Sequence, residues 1–159
     1  MVAASYSNAP PPAEPGEESL DHTIIFGVGG DVELELDDGS VRAGGNVMVE
    51  WDAIEDWLEL EVGASVLPAP SGTAVPMDLL VKKPFRITRG FELMIGAGPE
   101  VVHVGGADDG WRAGVEGAVD LMFWPTHRFG FWFEPAYDVV FHDGVSSGLG
   151  GTGGLLVGW

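Results

Sequence analysis

The sequence contains no cysteine, which excludes a disulfide framework and any zinc site built on cysteine. Basic residues are also scarce, because 7 Lys and Arg stand against 25 Asp and Glu, and the formal net charge is −18. A chain of this charge repels a phosphate backbone, so we predict no nucleic-acid partner. Hydrophobic residues nevertheless make up 45% of the 159 residues, which is too apolar for a disordered chain and enough for one folded domain.

Long apolar runs are missing as well. The sequence has no stretch of 18 consecutive apolar residues, which excludes a membrane-spanning helix but leaves a spanning β-barrel open, because barrel strands carry a weaker signal. Residues 1–21 lack the charged start and apolar core of a signal peptide, so either the numbering begins on a mature form or the protein is not exported. Their proline and acidic residues predict a disordered tail, which leaves residues 22–159 as the domain.

From His22 onward, apolar residues recur at every second position, and turn-forming residues interrupt the pattern about every ten to fifteen residues. The pattern predicts eight strands, at residues 23–36, 41–51, 58–66, 76–83, 91–101, 111–123, 129–141 and 149–159. Eight strands with short connections predict an antiparallel up-and-down β-barrel. The even number allows the last strand to pair with the first and leaves no exposed edge.

The volume of the apolar side chains predicts which face of the barrel lies outside. Segment 129–141 alone carries Phe129, Phe131, Phe133, Tyr137 and Phe141 on its apolar face, and an eight-stranded interior has little room for five such rings. We therefore predict a transmembrane barrel, with the apolar face toward lipid and the acidic face inside. Aromatic residues near one rim would form a girdle at the membrane interface: Phe26, Trp51, Trp57, Phe91, Phe123, Trp124, Phe129 and Trp159.

The C-terminal stretch "GGLLVGW" resembles the C-terminal signal of bacterial outer-membrane β-barrels. The eight-strand pattern resembles the small OmpA and OmpX type barrels, and "FELMIGAGPEVVHV" and "LMFWPTHRFGFWFEPAYD" resemble segments of uncharacterised proteobacterial outer-membrane proteins. The resemblance implies a bacterial outer-membrane location and a terminal strand that the barrel-assembly machinery reads. It also implies that the chain termini and the turns "DAIED", "PFRITRG" and "PTHR" face the periplasm. The short outer connections, such as "DDGS", argue against an adhesin.

The inward face is predicted to be a strongly acidic network with the basic partners Arg42, Lys82 and Arg112. Its acids are Asp31, Glu33, Glu35, Glu50, Glu59, Glu61, Asp78, Glu92, Glu100, Glu116, Asp120, Glu134 and Asp138. Carboxylates crowded in this way cannot all be ionised without compensation. Two interpretations stay open: a structural network that fills the lumen, or a very small cation or proton channel that uses the space left by inward glycines, such as Gly27, Gly96 and Gly154.

Two other classes of function also remain open. A soluble lipocalin-like barrel would bind an apolar ligand inside, and an outer-membrane lipid hydrolase would draw on His142, Asp143, Ser146 and Ser147 of "HDGVSS". His103 with Asp108 and Asp109 would be a candidate metal site. Acids of the outer turns would hold divalent ions that bridge lipopolysaccharide: Asp37, Asp38, Asp108, Asp109 and Asp143. We predict no catalytic residue, no cofactor and no resident metal, and a monomer in contact with the lipid bilayer and lipopolysaccharide.

Overall fold

The computed structural model describes residues 22–69, 72–106, 109–142 and 144–159, and it forms eight strands within these ranges. The strands are β1 (Ile24–Glu35), β2 (Val41–Ile54), β3 (Leu58–Ala69), β4 (Gly72–Thr88), β5 (Phe91–Gly106), β6 (Gly110–Phe123), β7 (Phe129–Phe141) and β8 (Val145–Gly158). No helix in the described ranges is long and apolar enough to cross a membrane.

Each strand pairs antiparallel with the next, and β8 pairs with β1 to close a barrel, as the alternating pattern predicts. The closing ladder runs from Ile25 opposite Gly158 to Glu35 opposite Gly148. Closure satisfies the backbone hydrogen bonds that an open sheet would leave at its edges. The start of β1 and the end of β8 lie at one end of the barrel, which we call the terminal rim, and the opposite end is the far rim.

Several strands extend beyond their predicted bounds, and β4 extends most. The predicted segment covers residues 76–83, whereas the ladder continues on both sides of it, past Pro76, which lies opposite Val102, and past Pro84, which lies opposite Met94. Most of the predicted turn "PFRITRG" is therefore strand, and only residues 89–90 connect β4 to β5. The predicted turn "DAIED" is also too long, because β2 continues to Ile54.

The apolar face of the strands lies outside, as predicted. Phe129, Phe131 and Phe133 of β7 are each more than half exposed, and similar side chains surround the barrel. A soluble lipocalin-like barrel would bury these rings in its interior, so that alternative is wrong. The outward face instead has the apolar character of a lipid-facing surface.

Two apolar clusters lie inside the barrel, where small and charged residues were expected. The terminal apolar cluster contains Ile25, Met48, Met94, Met122, Trp124, Trp132 and Leu156, and the far apolar cluster contains Leu67, Ala74, Val102 and Val140. Inward glycines make room for the larger members. A Cβ on Gly154 would lie 2.7 Å from Cζ3 of Trp132, and one on Gly27 would lie 2.7 Å from Cγ of Met48.

The prediction that Trp124 belongs to the outer aromatic girdle is wrong. Its side chain is only 5% exposed, and its ring stacks on His22 with 4.1 Å between ring centroids. Alternation explains the position, because Phe123 at the end of β6 faces outward and the next residue therefore faces inward.

Candidate functional site

A buried ion cluster crosses the barrel interior around Lys82 of β4. The side chain of Lys82 is 0% exposed, and its Nζ donates hydrogen bonds to Oε2 of Glu61 at 2.8 Å and to Oε2 of Glu134 at 2.6 Å. It also donates to Oδ2 of Asp120. These carboxylates come from β3, β6 and β7, so a single ammonium links distant parts of the barrel wall. We call these four residues the Lys82 cluster.

Two more buried acids adjoin the Lys82 cluster. Glu50 of β2 lies opposite Glu61 in the ladder between β2 and β3, and Glu59 lies opposite Lys82 in the ladder between β3 and β4. Both side chains are buried, and the sequence correctly places both on the inward face. Five acidic side chains therefore surround one basic side chain in this half of the barrel.

A cavity of about 50 Å³ lies between the Lys82 cluster and the far rim, which is room for a few water molecules. Its lining includes Glu61, Glu134, Asp78 and Glu116. Neutral polar side chains complete this level: Asn46 Nδ2 donates to Ser65 Oγ at 3.0 Å, and Thr152 Oγ1 donates to Glu134 Oε1 at 3.3 Å. Strand alternation in the sequence also places these neutral residues on the inward face, although the predicted network includes charged residues only.

A second cavity of about 30 Å³ lies nearer the far rim. Arg42 forms ion pairs beside it with Glu33 at 3.3 Å and with Glu35, and Arg112 also lines it. The two cavities share lining residues, among them Glu33, Pro76, Glu100 and Asp138, so they lie next to each other along the barrel. Polar space thus extends from the far rim toward the Lys82 cluster.

Acidic and basic residues also pair at the terminal rim. Arg86 Nη1 lies 3.1 Å from Asp56 Oδ1 in the turn between β2 and β3, and its Nε lies 3.9 Å from Glu92 Oε1. The predicted lumen residue Glu92 therefore lies at the rim, away from the Lys82 cluster. Asp56 adopts the left-handed backbone conformation, with φ of 58°, which aspartate tolerates in tight turns.

The predicted girdle residues other than Trp124 lie on the outward face. Phe26, Trp51, Trp57, Phe123, Phe129 and Trp159 are exposed, and Phe91 is half-buried. Phe26 and Trp159 pack edge to face with 5.7 Å between centroids. Lys83, which follows Lys82 but points outward, lies 5.8 Å from the centroid of Trp57 and donates from Nζ to the carbonyl oxygen of Asp56 at 2.8 Å.

The structure describes only part of the predicted hydrolase and metal sites. Ser146 Oγ donates to the carbonyl oxygen of Val140 at 3.4 Å, and Asp143 lies outside the described residues. His103 Nε2 lies 3.6 Å from Asp109 Oδ1, and its ring packs edge to face on Trp111, while Asp108 lies outside the described residues. In the first far-rim turn, the backbone N–H of Ser40 donates to Asp38 at 2.8 Å and lowers the pKa of that carboxyl.

No protein-family model and no curated protein sequence matches this chain. Among solved structures, Neisserial surface protein A matches with a TM-score of 0.63 and 14% identity, over 86% of this chain and 96% of that chain. Outer membrane protein OprG from Pseudomonas aeruginosa matches with a TM-score of 0.67 and 10% identity, over 89% and 99%. The N-terminal β-barrel domain of Pseudomonas aeruginosa OprF matches with a TM-score of 0.53 and 14% identity, over 84% and 98%.

These similarities agree with the closed eight-stranded topology. At 10–14% identity they establish the fold alone. This chain has the fold of the small eight-stranded bacterial outer-membrane β-barrels of the OmpA and OmpX type.

Proposed function

We propose that this protein is a monomeric bacterial outer-membrane β-barrel with a structural role, whose lumen is closed to solutes and which performs no catalysis. The observation that carries the proposal is the Lys82 cluster, which spans the interior beside the terminal apolar cluster. Both features lie in the half of the barrel nearer the terminal rim.

The two features obstruct the lumen in different ways. An ion that passes the Lys82 cluster would have to displace an ammonium group held by three carboxylates. An ion that passes the terminal apolar cluster would have to leave water among Met94, Met122 and Leu156, all with 0% exposure. Transfer of a bare ion into such surroundings is costly, so the combination favours a closed lumen.

The proposed orientation rests on the rim at which β1 begins and β8 ends. The small barrels of this type would place both termini and the terminal rim in the periplasm, and the far rim with its acidic turns outside, toward lipopolysaccharide. Trp159 and its neighbours on the outward face would then lie at the periplasmic membrane interface. The backbone N–H of Trp159 donates a hydrogen bond to the carbonyl oxygen of Ile24 at 3.0 Å, beside the closing ladder. The strand that would engage the barrel-assembly machinery therefore also closes the barrel.

A very small cation or proton channel is the second candidate. The two adjoining cavities favour it, because acids line both of them and they extend from the far rim to Glu61 and Glu134 of the Lys82 cluster. Carboxylates that line a narrow passage select for cations. On this interpretation, conduction requires the Lys82 ion pairs and the terminal apolar cluster to rearrange.

Planar-bilayer recording distinguishes the two candidates. The protein is refolded into detergent, its folding is checked by heat-modified gel mobility, and single-channel currents are recorded. For a closed barrel, the wild type gives no steps, whereas a triple variant with Lys82→Met, Trp132→Ala and Leu156→Ala removes both obstructions and conducts.

The matched control is a triple variant with Lys82→Met, Phe131→Ala and Leu155→Ala, which truncates the neighbouring outward side chains instead, keeps the terminal apolar cluster and should stay silent. Cation-selective steps from the wild type would refute the closed lumen and support the small channel.

A further inference from the structure

The strongest feature that the closed-barrel proposal leaves unexplained is Glu50. Its side chain is fully buried, with 1% exposure. Among the described residues, no hydrogen-bond donor reaches either of its carboxylate oxygens. Because a buried carboxylate without a donor is costly, Glu50 requires a compensating partner.

Glu50 points into a group of carboxylates. One carboxylate oxygen from each of Glu50, Glu61 and Asp120 lies within 4.8 Å of the others, and all three side chains are buried. Asp120 adds a third unsatisfied atom to the two oxygens of Glu50, because its Oδ1 also has no donor among the described residues. Two independent features therefore meet here: a compact set of oxygen ligands and unsatisfied buried oxygens.

Lys82 compensates only part of this charge. Its ammonium bonds Oε2 of Glu61 and Oδ2 of Asp120, which leaves Oε1 of Glu61, Oδ1 of Asp120 and both oxygens of Glu50 for another ligand. With Glu59 and Glu134 nearby, five carboxylates face one ammonium, a formal excess of four negative charges. A second positive group therefore fits the site electrostatically, and a divalent ion would halve this excess.

We propose that Glu50, Glu61 and Asp120 bind a calcium ion inside the barrel. The ligand set consists of oxygen atoms alone, which suits a hard divalent cation. Calcium takes six to eight oxygen ligands in flexible geometry, so water from the adjoining cavity, which Glu61 also lines, would complete the shell around the carboxylate oxygens. Magnesium demands a near-ideal octahedron, which three carboxylates held on separate strands are less suited to provide. The sequence alone predicts no resident metal, because only the closed barrel brings these residues of β2, β3 and β6 together. The proposal holds for a closed or a conducting lumen alike.

In this arrangement the Lys82 ammonium and the calcium ion share the carboxylates of Glu61 and Asp120. Each carboxylate would present one oxygen to the ammonium and the other to the metal. Lys82 would thereby hold two of the three ligands in place before the metal binds, since its donors fix their side-chain positions.

Calcium binding to the refolded full chain tests the site directly. The barrel is refolded in a zwitterionic detergent at a series of free calcium concentrations or with EDTA, so that access to the buried site does not limit binding. Free ion and chelator are then removed by desalting, and the bound calcium is measured by atomic emission. We expect one calcium ion per barrel and a higher urea midpoint of unfolding in CaCl₂ than in EDTA. Glu50→Gln should weaken binding at least tenfold and remove most of the midpoint difference.

Glu100→Gln is the matched control, because Glu100 is also inward, buried and has an oxygen without a donor, but lies outside the three-carboxylate group. This variant should bind calcium like the wild type. Equal weakening by Glu50→Gln and Glu100→Gln would overturn the proposal in favour of diffuse attraction to an acidic lumen. Absence of binding and of a midpoint shift in the wild type would overturn it in favour of protons shared among the carboxyl groups.

If Glu50→Gln does not refold, Glu61→Gln replaces it as the ligand variant, with the same expected loss. The channel recordings do not bear on this result, so failure of the calcium site and failure of the closed lumen are separate outcomes.

Discussion

Replacement of Lys82 by methionine tests the buried ion cluster most directly. Methionine has similar length and no charge, so it removes three hydrogen bonds while it keeps most of the apolar stem. Asp120 would lose its only donor among the described residues, because its second oxygen already has none, while Glu134 would keep the hydroxyl of Thr152. Removal of one partner from a buried ion pair costs about 3–5 kcal/mol, because it leaves uncompensated charge behind.

The assay is urea unfolding of the barrel refolded in lipid vesicles at neutral pH, followed by tryptophan fluorescence and by heat-modified gel mobility. Lys83→Met is the control, because Lys83 is adjacent in sequence but points outward and donates only to an exposed carbonyl oxygen. We expect this control to change the free energy of unfolding by no more than about 0.5 kcal/mol. If Lys82→Met lowered that free energy by less than about 1 kcal/mol, or by no more than Lys83→Met, the ion cluster would not be an essential part of the fold.

Two further predictions concern the outer face and the packed interior. Val47→Arg, in the middle of β2 on the outward face, should destabilise the barrel in a bilayer by about 2–4 kcal/mol. Val41→Arg, at the far-rim end of the same strand, should cost only about 0–1 kcal/mol. Equal costs in vesicle unfolding titrations would contradict a lipid-facing surface. Gly154→Ala should cost about 1–3 kcal/mol, because its Cβ would clash with the backbone of Val28 and Gly29 on β1 and would also lie 2.7 Å from the ring of Trp132. Gly110→Ala should be nearly neutral, because its Cβ would meet no atom within 4 Å. A reversed order in the same titrations would show that the interior is not packed in this way.

The strand pattern and the direction of the two faces could be predicted from the sequence because both depend on a period of two. Most of the predicted strands alternate apolar residues with polar or small residues over nine positions or more, and membrane barrels tolerate little deviation on the lipid side. The bounds of β4 could not be predicted, because proline disfavours strands and yet Pro76 and Pro84 lie within its ladder. Trp124 was misplaced because its aromatic character suggested the interface, whereas strict alternation past Phe123 placed it inside.

The content of the interior could be predicted in type but not in arrangement. Parity places Glu50, Glu61, Lys82, Asp120 and Glu134 on the inward face, but they come from five different strands. Their mutual distances depend on the stagger of the barrel, which alternation does not determine. The apolar clusters could not be predicted for a related reason, because alternation places Met48, Met94 and Trp132 on the inward face but does not show which of them meet. Interior packing is a property of the closed barrel as a whole.

The Lys82 cluster also supplies information that the alternating pattern lacks. A one-residue slip in the register of a strand would move its apolar side chains to the inward face and its polar side chains to the lipid, so the bilayer disfavours that register. A two-residue slip leaves each side chain on the same face of the sheet, so the hydrophobic pattern alone does not exclude that register. Such a slip would move Lys82 by about 7 Å relative to a neighbouring strand and break its contacts with carboxylates on β3, β6 or β7. The buried ion pairs thus favour one register among those that the membrane would accept, and this gives the charged interior a structural role independent of any conduction.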